Sequence, residues 1–169
     1  MRTQGGRGTV LAGTRGSRGY SGAVDSERIP PLSLVTEQTL DVAAHVLAVS
    51  SRSAGAVVTF IGQVRDHDPD AAGTVTGLDY SAHPDAGRIL AEIADRFRAG
   101  NTAVELVVSH RIGHLEVGDL ALVAAVASAH RADAFRVCEQ LVEAVKAEVP
   151  IWKKQYEVDG THSWVGLGH

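Results

Sequence analysis

A helix-spaced apolar stripe that runs straight into a hairpin signal constrains this chain more than any other feature. Ala134, Phe135, Cys138, Leu141, Val142 and Val145 recur at the spacing of one helix face. Pro150 stops that helix, because proline cannot donate to the hydrogen-bond ladder and restricts the residue before it. With no linker, Ile151 to Val158 and Thr161 to Val165 then read as strands on either side of Asp159-Gly160, a strong two-residue hairpin signal.

Upstream, strand-like and helix-like segments come in mixed order. Leu32 to Val35 is a short strand, and Thr36 precedes a helix marked by Leu40, Ala43, Ala44 and Leu47. GAVVTFIGQVR, from Gly55 to Arg65, is a β-branched and aromatic run suited to a buried strand, and HDPDAAG after it has loop chemistry. Thr74 to Ala82 reads as a strand. Ile89, Leu90, Ile93 and Phe97 mark a helix ending near Gly100, and Ala103 to His110 is again strand-like. RIGHLEVGD, from Arg111 to Asp119, reads as a turn or short ribbon before a strand over Leu120 to Ser128. About three helices among several antiparallel opportunities argue for an α+β fold over a doubly wound parallel sheet, and no internal repeat is visible. Residues 1–28, rich in Gly, Arg, Ser and Thr, are predicted to be a disordered tail, because they hold too few large apolar groups to offset the entropy of ordering. Residues 29–169 are predicted to form one domain.

The net charge of −4 argues against a broad nucleic-acid face, so any anion site must be a local concentration of cations. No uninterrupted apolar run reaches membrane length. The single cysteine, Cys138, and the absence of a secretory pattern point to a reducing cytoplasm. Cys138 belongs to the apolar stripe and reads as packing. Three clusters place cations beside turns: Arg65 after its strand, His130-Arg131 at the start of the long helix, and Lys146 with Lys153-Lys154 around its end. A helix N-terminus favours anions, and Pro150 with Trp152 would hold Lys146 and Lys153 at fixed positions, so together they suggest a phosphate pocket with a nearby amine. No GxxxxGK, GxGxxG or GxSxG motif is present. His110 and His114 have the spacing of a zinc pair, but Gly113 interrupts any helix there and no HExxH pattern is formed, so neither a metal nor another cofactor is expected.

The segments GAVVTFIGQVR, SHRIGHLEVGD, SAHRADAF, VKAEVPIWKKQ and DGTHSWV, in this order between Leu32 and Val165, resemble the large, catalytic subunit of molybdopterin synthase. The resemblance implies an α/β hammerhead fold with an additional small antiparallel β subdomain. It also implies a homodimer within a heterotetramer, with a small ubiquitin-like sulfur-carrier subunit at each end whose C-terminal Gly-Gly bears a thiocarboxylate. Sulfur from that group would be transferred to cyclic pyranopterin monophosphate to form the dithiolene of molybdopterin. Carried over by motif, Lys146 and Lys153 would be catalytic. Gln63, Val64, Arg65, His130, Arg131, Lys146, Lys153, Lys154 and Gln155 would bind substrate.

Two further expectations follow. If Arg131 and Lys146 share one continuous helix, the fifteen residues between them span about 22 Å, too far for one small substrate. His130 and Arg131 of one subunit would then face Lys146 and Lys153 of the other. Where many relatives have Glu and Tyr after the second strand and Glu after the paired lysines, this chain has Ser81, His83 and Gln155. The last of these supports an alternative, a non-catalytic paralogue that binds the small subunit as a regulatory module.

Overall fold

A computed structural model describes residues 33–67 and 73–166. The tail expected over 1–28 and most of the HDPDAAG loop lie outside the described residues. The elements, in chain order, are β1 (Leu34–Thr36), α1 (Val42–Val49), β2 (Ala56–Gln63), β3 (Val75–Ala82), α2 (Ala86–Gly100), β4 (Val104–Arg111), β5 (Gly113–Glu116), β6 (Leu120–Ser128), α3 (Arg131–Glu148), β7 (Ile151–Glu157) and β8 (His162–Gly166). Two sheets and three helices make the α+β architecture, with the additional antiparallel β unit, that was expected. Among the described residues no helix is long and apolar enough to cross a membrane.

The first sheet has the order β1-β4-β6-β2, with β1 parallel to β4 and the other pairs antiparallel. The helices α2 and α3 cover one face. Leu90 and Ile93 of α2 and Val137, Leu141 and Val145 of α3 bury themselves against Leu106, Val108, Ala124 and Val126. The other face receives α1, where Val49 packs on Ala125 and Ala127. Because both faces of β6 are covered, its sequence LALVAAVAS is apolar almost throughout instead of alternating. The second sheet, β5-β3-β7-β8, is wholly antiparallel. Val64, Val75, Leu78, Leu115 and Ala121 form a smaller core that ties it to the end of β2 and the start of β6.

Two expectations need correction. The first helix starts at Asp41, whose Oδ1 accepts from the Ala44 amide at 3.1 Å, rather than at Thr36. Its buried face is carried by His45 and Val49, while Leu47 is half exposed. A hydrophobic count misses His45, which is buried because both ring nitrogens find partners, the Asp41 carbonyl at 2.6 Å and the Ser109 hydroxyl at 2.9 Å. On α3, Ala134, Cys138, Leu141, Val142 and Val145 are buried as expected, but Phe135 stands 63% exposed, one position round the helix from Ala134. RIGHLEVGD forms the short ribbon expected of it: a strand, β5, paired with β3, followed by a turn in which Gly118 takes φ 95° and donates to the Val64 carbonyl.

Gly55, just before β2, packs against the backbone that leads from β6 into α3. A Cβ there would stand 2.5 Å from the Ala129 carbonyl oxygen, which is backbone and cannot swing aside. Gly55→Ala is therefore expected to cost about 1–3 kcal/mol in urea unfolding. An unchanged midpoint would contradict this close approach.

Candidate active site

A cavity of about 310 Å³ opens where the end of β2, the C-terminal turn of α3 and the inner face of the second sheet meet. It is within the size range of small-molecule sites. Gln63, Val64 and Arg65 line it from the end of β2, Lys146 and Val149 from α3, and Lys153 and Gln155 from β7. Pairing of β7 with β3 sets Lys153 opposite Tyr80 and Gln155 opposite Leu78. Residues directly opposite in an antiparallel ladder share a face, so these four point together. Three of the lining residues, Arg65, Lys146 and Lys153, carry positive charge, and among the described residues the lining contains no carboxylate. The three cations give the cavity an attraction for anions.

The individual roles of the lining residues differ. Val64 is buried in the smaller core, and its backbone bonds to Asp119 and Gly118, so it anchors the strand end that carries Arg65. Gln63 donates through Nε2 to the Gly118 carbonyl at 3.2 Å. Gln155 is 1% exposed and its Nε2 has no hydrogen-bond partner among the described residues. The two lysines reach one cavity because α3 ends at Glu148 and Pro150 turns the chain directly into β7.

Three of the expected site residues lie elsewhere. Lys154 points to the opposite face of the second sheet, where its Nζ sits 5.0 Å from the centre of the Tyr156 ring and 5.9 Å from that of Trp164. On that face Asp79 accepts hydrogen bonds from the Tyr156 hydroxyl and His114, which hold its carboxyl below the ordinary range. His130 is the exposed N-cap of α3, with its amide 3.4 Å from the Ser128 hydroxyl, and Arg131 opens the helix. Since α3 is continuous from Arg131 to Glu148, this pair stands about 22 Å along the helix from Lys146. Of the departures, Ser81 and His83 are exposed and outside the cavity lining, whereas Gln155 is within it.

Two polar lining residues are not legible as site residues in the sequence, Tyr80 and His110. His110 and His114 have the spacing of a zinc pair, yet the two lie in different strands, His114 exposed and bonded to Asp79. His110 is buried, packs edge-on against Tyr80 at 5.1 Å, and lies with Nδ1 2.8 Å from the Arg111 carbonyl. Burial pushes its pKa down to about 4, against a smaller upward pull from that carbonyl. Cys138 is buried in the main core, and burial pushes its thiol up, as suits a packing residue.

Comparison with known proteins identifies the family. Residues 35–148 match the family model described as MoaE protein. The molybdopterin synthase catalytic subunit 1 of Mycobacterium tuberculosis is 40% identical over 144 residues, covering 85% of this chain and 96% of that protein. The crystal structure of molybdopterin synthase from Staphylococcus aureus superimposes with a TM-score of 0.73 at 32% identity, covering 82% of this chain and 98% of that one. A complex of subunits 1 and 2 of molybdopterin-converting factor from Helicobacter pylori shares the fold, with a TM-score of 0.56 at 20% identity over 78% of this chain and 88% of that one. The chain belongs to the MoaE family, whose curated members are molybdopterin synthase catalytic subunits.

The environment of His110 makes stability depend on pH. The folded chain keeps this imidazole neutral down to about pH 4, whereas the unfolded chain takes up the proton near 6.5. Between those values the unfolded state binds more protons, so stability falls as pH is lowered through the window, by up to about 3 kcal/mol. Urea titrations at pH 7 and pH 4.5 should show this loss, and His110→Asn should flatten it. The same slope in the variant would assign the loss to other groups.

Proposed function

We propose that this chain transfers sulfur from the thiocarboxylated C-terminus of a small ubiquitin-like subunit to cyclic pyranopterin monophosphate, forming the molybdopterin dithiolene in the cytoplasm. The observation that carries this reading is the meeting of Arg65, Lys146 and Lys153 on one cavity. A cyclic phosphate is an anion that such a cavity would attract, and the acyl oxygen of a thiocarboxylate gains negative charge as its carbon is attacked. Ammonium groups fixed beside that oxygen would favour the charged transition state over the ground state. Lys146 and Lys153 are the catalytic pair in this account, with Arg65 and Gln63 holding substrate at the end of β2. Lys154 is reassigned to the outer face, where it packs on aromatic rings.

The small-subunit partner draws support from the Helicobacter pylori relative, which is a two-subunit complex. A Gly-Gly end suits a narrow approach to the cavity, since it brings no side chain. The homodimer draws support from α3. Because one unbroken helix separates His130 and Arg131 from Lys146, we assign that pair to the cavity of the partner protomer. Phe135, one turn further along α3, stands exposed beside Val58 and Phe60 of β2, an apolar patch at the sheet edge that a second copy would cover.

Mixing the purified chain with thiocarboxylated small subunit and cyclic pyranopterin monophosphate should yield molybdopterin, followed as its fluorescent oxidised derivative, and Lys146→Ala should abolish it. A stable complex that makes no product would favour the regulatory paralogue. The shared site has its own test. His130→Ala and Lys146→Ala chains, each inactive alone, should regain activity when combined in mixed dimers, because one site then keeps both groups. No recovery in verified mixed dimers would place His130 outside the partner's site.

A further inference from the structure

The cavity is graded in depth, and the gradient carries information about its ligand beyond the cationic groups. Arg65 and Lys146 are exposed at its rim and Lys153 is half-buried. Further in, two uncharged polar side chains are almost wholly buried, His110 at 6% and Gln155 at 1% exposure. The Arg111 carbonyl facing His110 Nδ1 can only accept, so Nδ1 carries the ring proton and Nε2 carries a lone pair. Tyr80 packs against this imidazole with 81° between the ring planes, and both rings line the cavity. Gln155 brings a buried Nε2 that has no hydrogen-bond partner among the described residues, a costly state that a bound ligand would relieve.

We propose that His110 and Gln155 form a neutral recognition wall that reads the lactam edge of a planar heterocycle, His110 Nε2 accepting from a ring N–H and the Gln155 carboxamide donating to the neighbouring carbonyl. The ligand class is a planar, uncharged pyrimidinone-type ring joined to an anionic group. The anion stays with the cations at the partly solvated rim, where its desolvation is smallest, and the ring enters the inner part. The assignment rests on the pterin-phosphate reading above and adds which end of the substrate goes inward and what selects it. It also gives Gln155 a use that an acceptor-only Glu could not serve. His110 and Gln155 are specificity-determining here, with no proton or bond transfer required of either.

The test is calorimetric titration of the intact protein with three probes: cyclic pyranopterin monophosphate, inorganic phosphate, and a short peptide ending in Gly-Gly. His110→Asn keeps a donor for the Arg111 carbonyl and removes the Nε2 acceptor. Gln155→Met removes the amide at similar length and without adding charge. Each variant is expected to weaken the pterin phosphate about tenfold or more while leaving inorganic phosphate unchanged. Lys153→Ala should weaken both. Pterin-phosphate binding equal to that of the unaltered chain in both variants overturns the wall alone, as does an equal loss for inorganic phosphate, which would report a general collapse of the cavity. Loss confined to the Gly-Gly peptide would hand the wall to the partner's tail and overturn the proposal. If the unaltered chain binds phosphate but not the pterin phosphate, the functional reading itself falls, and the wall with it.

Discussion

The cavity depends on the antiparallel pairing of β7 with β3. That ladder decides which residues of the run Trp152-Lys153-Lys154-Gln155 face inward, since alternate side chains leave a strand on opposite sides. With Lys153 set against Tyr80 and Gln155 against Leu78, one lysine and one carboxamide enter the cavity and the neighbouring lysine is sent to the aromatic outer face. A slip of one residue would exchange them and leave Trp152 and Lys154 pointing inward. The register is held from both ends: Pro150 stops α3 and accepts through its carbonyl from His83, while Asp159-Gly160 closes the hairpin into β8.

The second constraint is the length of α3. A helix this long joins the first sheet to the second and contributes Val137, Leu141 and Val145 to the main core, so its position is set by burial rather than by the charges at its ends. Its C-terminal turn delivers Lys146 to the cavity, and its N-terminus carries His130 and Arg131 away from it. Those two facts cannot both serve one substrate within a single chain. The proposed twofold assembly would resolve them by bringing the N-terminal pair of one protomer to the lysines of another, so that the dimer would be part of the active site.

Much of this could be read from sequence because local rules apply where local chemistry dominates. The stop at Pro150, the Asp159-Gly160 turn, the strand from Gly55 and the buried face of α2 follow from proline geometry, turn propensity and periodicity. What escaped depends on contacts between distant segments. Leu47 and Phe135 were counted into buried faces, but a helix's orientation is set by what it packs on, and a hydrogen-bonded histidine won the place expected for a leucine on α1. His110 looked like half of a failed zinc pair, and only the fold shows it in the cavity wall with Tyr80 against its edge. Lys146 and Lys153 were distinguished from ordinary helix-end lysines by family resemblance, and separating Lys153 from Lys154 required the strand register.

The most direct test of the central claim is a crystal structure of the dimer with cyclic pyranopterin monophosphate bound. The account predicts the phosphate beside Arg65, Lys146 and Lys153 of one protomer, with His130 and Arg131 of the other completing the site. A ligand bound at the N-terminus of α3 with both lysines out of reach, or a dimer that keeps the two ends of α3 in separate pockets, would contradict it.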